Sequence, residues 1–209
     1  MPVQGLRHMY YIRILILCII IPFALHGSAQ EVAVKTNLAY DAMTTPNLGV
    51  EVGLPGRSTI NLVYGLNPWT FGSKDDVRRK AKHWVLQPEY RWWHCSKFNG
   101  SFIGIHALGG QLNAANVNLP VPGFFFKGEN MQKGVKDHRY QAWYAGAGVT
   151  YGYQWILNSH WNFEAEIGAG YIHAWYDKFA CDECGAKISS GGSNYLGLTK
   201  LGLSILYIF

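Results

Sequence analysis

The sequence predicts an all-β fold, an eight-stranded antiparallel transmembrane β-barrel with short periplasmic turns and longer outer loops. Three observations carry this expectation. Beyond residue 29, apolar side chains recur at every second position in eight successive segments, which is the period of a strand and not of a helix. The connections between segments alternate between short and long, as periplasmic turns and outer loops do. Aromatic residues gather at the segment ends, as they do in the two girdles of a barrel that crosses both membrane interfaces. A soluble β-sandwich also alternates, but it has no reason to sort its aromatics by depth.

Residues 1–29 read as a signal peptide, and residues 30–209 as the barrel. Arg7 and Arg13 make a basic start, Ile14 to Leu25 an apolar core, and Gly27-Ser28-Ala29 the small residues before a cleavage site. That order is the secretory pattern. The apolar run is short for a membrane anchor. Cys18 follows Leu17 and sits inside the run, which argues against a lipoprotein start.

The first segment alternates Val32, Val34, Leu38 and Tyr40 with Ala33, Lys35, Asn37 and Ala39. The second sets Leu48, Val50, Val52 and Leu54 against Gly49, Glu51 and Gly53, and Pro55-Gly56 turns the chain. The third sets Ile60, Leu62, Tyr64 and Leu66 against Thr59, Asn61 and Gly65. In the fourth, Trp84, Leu86, Tyr90 and Trp92 oppose Gln87, Glu89 and Arg91, and Pro88 is a candidate bulge. The fifth covers about 101–112. The sixth alternates Trp143 through Trp155 with Gly146, Gly148, Thr150, Gly152 and Gln154. The seventh opposes Trp161, Phe163, Ala165, Ile167, Ala169 and Tyr171 to Asn162, Glu164, Glu166, Gly168 and Gly170. The eighth runs through Leu201, Leu203, Ile205, Tyr207 and Phe209 against Lys200, Gly202 and Ser204.

Short turns are expected near Pro55, Ser96 and Asn158, and long loops over 67–82, 113–139 and 177–193, with only the loop near 41–46 short among the outer ones. Trp92, Trp93, Trp155, Trp161, Tyr207 and Phe209 are expected at the periplasmic rim. Tyr40, Tyr64, Trp69, Trp84, Trp143 and Trp175 are expected toward the outer rim. Closure is required because an open edge in lipid would leave backbone groups unpaired. The terminal Tyr207 and Phe209 resemble the C-terminal signal read by the barrel assembly machinery.

Composition agrees with this picture. The chain is 49% hydrophobic and 15% charged, with 24 glycines, which is too apolar for a disordered chain. Without Arg7 and Arg13, 16 of the 18 basic residues remain against 13 acidic ones. A net charge of +3 gives no ground for a nucleic-acid partner, and no such motif is present.

Alternation directs seven charges into the lumen: Lys35, Glu51, Glu89, Arg91, Glu164, Glu166 and Lys200. The expected arrangement is an ion-pair network that fills and rigidifies the interior, because an eight-stranded interior is just wide enough to be filled by side chains and unpaired charges there are costly. A gated polar path or a small-ligand site is the alternative. Carboxylates alone do not make an acid–base catalyst.

Cys181 and Cys184, separated by Asp182 and Glu183 in the fourth outer loop, are candidates for a local disulfide in an exported protein. Free thiols are the alternative, and zinc would need two more ligands, with His173 the nearest. Ser101 and His106 share a segment but fall on opposite faces, and Ser159-His160 lies in a turn. Neither pair makes a catalytic triad. Lys74, Arg78, Arg79, Lys80 and Lys82 against Asp75 and Asp76 make the second outer loop basic, suited to anionic lipopolysaccharide or a surface partner. The third loop carries Phe124-Phe125-Phe126, which either folds over the barrel mouth or presents an apolar docking patch.

Several motifs resemble an uncharacterised family of Bacteroidetes outer-membrane barrels. They are Lys35-Thr36-Asn37-Leu38, Thr45-Pro46-Asn47-Leu48-Gly49-Val50-Glu51, Asn67-Pro68-Trp69, Gln87-Pro88-Glu89-Tyr90-Arg91, Gly100-Ser101-Phe102-Ile103-Gly104-Ile105-His106, Tyr151-Gly152-Tyr153-Gln154-Trp155, Trp161-Asn162-Phe163-Glu164-Ala165-Glu166 and Thr199-Lys200. The resemblance covers nearly the whole chain after the leader. It implies a domain of unknown function, with some members similar to proteins encoded near surface fimbriae. It supplies no catalytic residue. Some related barrels carry an added peptidoglycan-binding domain, and no such tether is expected here.

The resulting expectation is a non-catalytic outer-membrane scaffold or accessory protein, linked by resemblance to fimbrial or adhesion assembly, with no cofactor and no metal. Its expected partners are outer-membrane lipid and lipopolysaccharide, the barrel assembly machinery, and a fimbrial or other surface protein. The competing functions are a narrow channel or carrier for small ligands, and a lipid-modifying enzyme.

Overall fold

The computed structural model describes residues 31–71, 79–115, 123–127, 139–179 and 186–209. The expected leader therefore lies outside the described residues. The strands are β1 (Val32–Asn37), β2 (Asn47–Gly53), β3 (Ser58–Asn67), β4 (Thr70–Phe71), β5 (Arg79–Trp93), β6 (Gly100–Ala115), β7 (Gly123–Lys127), β8 (Arg139–Ile156), β9 (Trp161–Phe179) and β10 (Lys187–Ile208). One helical turn, α1 (Leu38–Ala42), follows β1.

The eight strands β1, β2, β3, β5, β6, β8, β9 and β10 pair antiparallel in that order, and β10 pairs back onto β1. The sheet thus closes into a ring, which removes the free edges that an open sheet would present. The two extra strands lie at the long-loop end: β4 pairs with β5, and β7 with β10.

Side chains sort as the alternation requires. In β3 the buried residues Thr59, Asn61, Val63 and Gly65 alternate with exposed Ile60, Leu62, Tyr64 and Leu66. The outer surface is apolar, with Ile103, Ile105, Val149, Tyr151 and Ile167 each more than half exposed. The interior is polar, with Arg91, Glu51, Glu164, His106 and Gln154 fully enclosed.

The ring differs from the sequence-based expectation in four places. β1 leaves the ladder at Asn37 and does not run on to Tyr40. Asn37 is the N-cap of α1, its side chain accepting from the Ala39 N–H at 3.0 Å. This turn carries Tyr40 away from the expected outer rim and into the interior, where its hydroxyl donates to Gln87 Oε1 at 3.3 Å. Trp93 was expected at the periplasmic rim beside Trp92, but successive strand residues face opposite sides. Trp92 is therefore exposed, while Trp93 is buried and donates from Nε1 to Thr59 Oγ1 at 3.0 Å.

Pro88 makes no bulge. Register to β6 is the same on either side of it, with Leu86 opposite Gly109 and Glu89 opposite His106. Only the pairing of Gln87 and Pro88 to β6 lapses, as the missing proline N–H requires. Register shifts fall instead in β10, between Lys187 and Ser189 and between Leu198 and Lys200.

Finally, part of the expected loop 113–139 and more than half of the expected loop 177–193 is strand. β8 begins at Arg139, β9 continues to Phe179, and β10 begins at Lys187. The stretch Lys187–Asn194 has Ile188 as its one apolar side chain and no period to read, but β9 supplies a ladder for it. Gly123–Lys127, within which the three-Phe run falls, pairs with Asn194–Gly197.

The wall rises from six residues in β1 to 22 in β10. β1 covers only Ser204–Ile208 of its long neighbour. Beyond that point the Asn37 side chain replaces a strand. Its Nδ2 donates to the Leu201 carbonyl at 3.0 Å, and its Oδ1 accepts from the Leu203 N–H at 3.2 Å. Asn47 fastens the other side, accepting from the Asn37 N–H at 2.7 Å and donating to its carbonyl at 3.0 Å. Asn37→Ala removes the partners of three backbone groups at this seam. It is expected to lower stability by about 1–3 kcal/mol, the cost of leaving buried polar groups unmet. The midpoint of urea unfolding in detergent measures this, and Asn37→Asp, which keeps the acceptor, should lose less.

Candidate functional site

The seven sequence-predicted charges come from five strands and meet in one cluster inside the ring. β1 brings Lys35, β2 Glu51, β5 Glu89 and Arg91, β9 Glu164 and Glu166, and β10 Lys200. Each sits at an inward position because each alternates with an outward apolar residue.

Arg91 is the hub. Its Nε donates to Glu89 at 2.6 Å, Nη1 to Glu51 at 2.7 Å and to Glu164 at 2.8 Å, and Nη2 to Glu166 at 2.8 Å and to Glu164 at 3.2 Å. A guanidinium has five N–H donors, and these five bonds account for all of them. Phe102 stacks beneath, its ring centroid 4.2 Å from the guanidinium carbon. Lys35 bridges Glu164 at 2.9 Å and Glu51 at 3.3 Å. Lys200 bridges Glu89 at 2.7 Å and Glu166 at 3.1 Å. Thr59 donates to Glu51 at 2.6 Å, and Asn61 to Glu89 at 3.2 Å. Arg91, Glu51 and Glu164 have no exposed surface, so side chains fill the ring at this level.

Glycines make room for these large groups. A Cβ at Gly104 would lie 2.6 Å from Glu89 Oε1, and one at Gly202 2.6 Å from Glu166. A Cβ at Gly49 would lie 2.7 Å from Lys35. Part of the glycine content is thus explained by close approach of a neighbouring side chain.

Below the cluster, toward the short turns, lies an apolar floor. Trp93 packs against Phe98 and Phe102, with centroids 6.0 and 4.8 Å apart, and Ala33 and Leu206 join Phe98. Phe98 holds a positive φ of 58°, uncommon for a residue with a Cβ. Burial of its ring and a 2.8 Å hydrogen bond from Asn162 Nδ2 to its carbonyl hold it there.

At the level of Glu89, His106 faces inward. Its Nδ1 meets Thr150 Oγ1 at 2.8 Å and its Nε2 meets Thr199 Oγ1 at 2.9 Å. Above it is a cavity of about 210 Å³, lined in part by Tyr40, Met43, His83, Gln87 and Tyr144. A second cavity, of about 310 Å³, follows at the long-loop end, with Asn67, His83, Trp84 and Gln111 among its walls.

The other candidate residues stay apart from the cluster. Ser101 alternates with inward Phe102 and His106 and so faces away from them. His160 lies at the short-turn end, with Nδ1 3.1 Å from the Ile208 carbonyl. His173 pairs with Asn194 Oδ1 at 2.6 Å. Among the described residues, no three His, Cys, Asp or Glu side chains converge to hold a metal. Cys95 is exposed and unpaired. Cys181 and Cys184 lie outside the described residues, as do Lys74, Asp75, Asp76 and Arg78. Tyr207 contacts Trp161 and Phe209, with centroids 5.2 and 5.0 Å apart, and the Phe209 N–H donates to the Val32 carbonyl at 3.0 Å.

Alternation placed Thr59 and Asn61 on the inner face but did not join them to the network. Their parity was legible, and their partners were not. Phe98 left no signal, because it belongs to a turn.

A family model described as a protein of unknown function (DUF3575) matches residues 14–209. None of the curated proteins matches the chain.

Proposed function

Because the chain belongs to the DUF3575 family, whose description assigns no function, we propose a role for it from its geometry. The chain is an outer-membrane β-barrel with a plugged interior that serves as a non-catalytic surface scaffold or accessory protein. The observation that supports this reading is the inversion of polarity across the wall. Seven charges lie inside, and Leu48, Ile60, Leu62, Ile103, Ile105, Val149, Ile167 and Leu203 lie exposed outside. A water-soluble protein gains by the opposite arrangement, whereas a closed sheet in lipid needs this one. The ten residues of β3 have the length of a membrane-crossing strand.

In this reading the long-loop end faces outward and meets lipopolysaccharide and a surface partner, such as a fimbrial or adhesion subunit. The C-terminal strand, ending in Tyr207 and Phe209, is what the assembly machinery would engage. The plug argues for a scaffold over a channel. Planar-bilayer recording of the purified chain tests it: the expected result is no steady conductance, and a stable ohmic current would replace the scaffold with a channel. Surface crosslinking followed by co-purification from outer membranes tests the partner. The expected product is a stoichiometric surface subunit, lost when residues 113–139 are trimmed. Recovery of the barrel alone would remove the docking role.

A further inference from the structure

The interior changes character above the charged cluster. Val85 and Leu108 are buried at inward positions, and Ile172 faces inward from β9. These apolar side chains, with Met43, wall the cavity of about 210 Å³. A space that only held water would gain nothing from apolar walls.

Four polar side chains converge on the same space, three of them brought there by a local device. The Asn37 cap ends β1, so α1 carries Tyr40 inward, where its hydroxyl donates to Gln87 Oε1 at 3.3 Å. The register shift between Leu198 and Lys200 leaves Thr199 without a partner in β9. A bulge of this kind re-aims a side chain, so Thr199 and Lys200 both turn inward, with Thr199 Oγ1 2.9 Å from His106 Nε2. A Cβ at Gly110 would collide with the Tyr144 hydroxyl, so glycine makes room for it, and that hydroxyl donates to the Trp84 carbonyl at 3.2 Å. Gln87 lines the cavity while only 3% exposed. Tyr40 occupies its Oε1, and among the described residues its Nε2 has no partner.

We propose that this cavity is a binding pocket for a small neutral molecule, a single ring carrying one hydrogen-bond acceptor that the Gln87 amide meets. Its volume sets the size of the occupant. It exceeds the roughly 150 Å³ that takes benzene and falls short of the roughly 300 Å³ at which drug-sized ligands begin. Its chemistry sets the charge. Among the described residues that line it there is no carboxylate, ammonium or guanidinium group, and the charges beneath it are engaged with one another. A charged ligand would shed its hydration there with no countercharge to meet it. His83 lines both this cavity and the larger one at the long-loop end, and so marks the way in. The pocket lies above the plug, so occupancy needs no passage through the ring and stands independently of the scaffold role and of the membrane location.

NMR of the full chain in detergent, isotope-labelled at its methionine methyl groups, tests this with acetophenone as the probe. The Met43 methyl, assigned through Met43→Leu, reads the pocket from the protein side and is blind to probe dissolved in detergent. The expected result is a saturable, one-to-one shift of Met43 that is lost in Leu108→Trp, whose indole takes up the space. Ile172→Phe narrows the pocket from the opposite wall and should weaken binding as well, which covers a Leu108→Trp variant that fails to fold. Gln87→Leu should weaken acetophenone about two- to tenfold, the worth of one hydrogen bond, without weakening toluene, which has no acceptor. Benzoate should not bind. The proposal is overturned by an absent or unsaturable Met43 shift, which would leave the cavity to water alone, or by a shift that survives both cavity-filling variants. It is equally overturned by benzoate binding as tightly as acetophenone, or by a Gln87→Leu variant that weakens the two neutral probes alike.

Discussion

Arg91→Met is expected to destabilise the ring by about 3–5 kcal/mol, the range for removing one partner of a buried ion pair. The size of the effect follows from the hub geometry. Arg91 bonds all four glutamates, so its loss leaves them facing only Lys35 and Lys200. Methionine keeps the unbranched stem of arginine but not the guanidinium over Phe102, so the loss combines the charge effect with a smaller packing term. Urea unfolding in detergent, followed by tryptophan fluorescence, measures the loss. Groups in one network do not contribute additively. Arg91→Met combined with Glu164→Gln returns the cluster to its original net charge and leaves Lys35 with Glu51, and Lys200 with Glu89 and Glu166. The double variant should therefore be more stable than Arg91→Met alone. A double variant less stable than the single one would show that geometry, and not charge balance, sets the stability of the plug.

The second large effect is expected at Gly170. A Cβ there would press into the Ala147 carbonyl oxygen and lie 2.5 Å from the Gly148 Cα and 2.9 Å from the Ala147 carbonyl carbon. These are backbone atoms of the adjoining strand β8, paired in register with β9, and they cannot rotate away as a side-chain tip can. Gly170→Val should cost about 1–3 kcal/mol or prevent closure, as overpacking does. Gly109→Ala is the control. The nearest atom to its added methyl is 3.8 Å away, and its effect should stay within about 0.5 kcal/mol. Folding efficiency in detergent, read by the gel shift of unheated samples, separates failure to close from loss of stability after closure.

Legibility differed from one residue to the next for identifiable reasons. Lys35, Glu51, Glu89, Arg91, Glu164, Glu166 and Lys200 could be assigned to the interior because each has an outward apolar neighbour in its strand, and strand alternation needs no tertiary information. Trp93 obeys the same rule, and its expected rim position overlooked its parity relative to Trp92. Tyr40 could not be placed by parity, because Asn37 ends the strand as a helix cap and redirects the chain after it. Lys187–Asn194 carries no alternation on either face, so its strand conformation depends on the ladder supplied by β9.

By itself, the sequence determined the strand class, the eight segments and the facing of most side chains, since these depend on neighbours one or two positions apart. The tertiary structure decided what those inward residues do. Lys35 reaches Glu164 across 129 positions of chain, and Arg91 can touch four glutamates only after the ring has closed. It also decided the slanted wall and the Asn37 seam, because the unequal pairing of a six-residue strand with a 22-residue one is a property of closure. Local periodicity says which way a side chain points, while register across the ring determines what it meets.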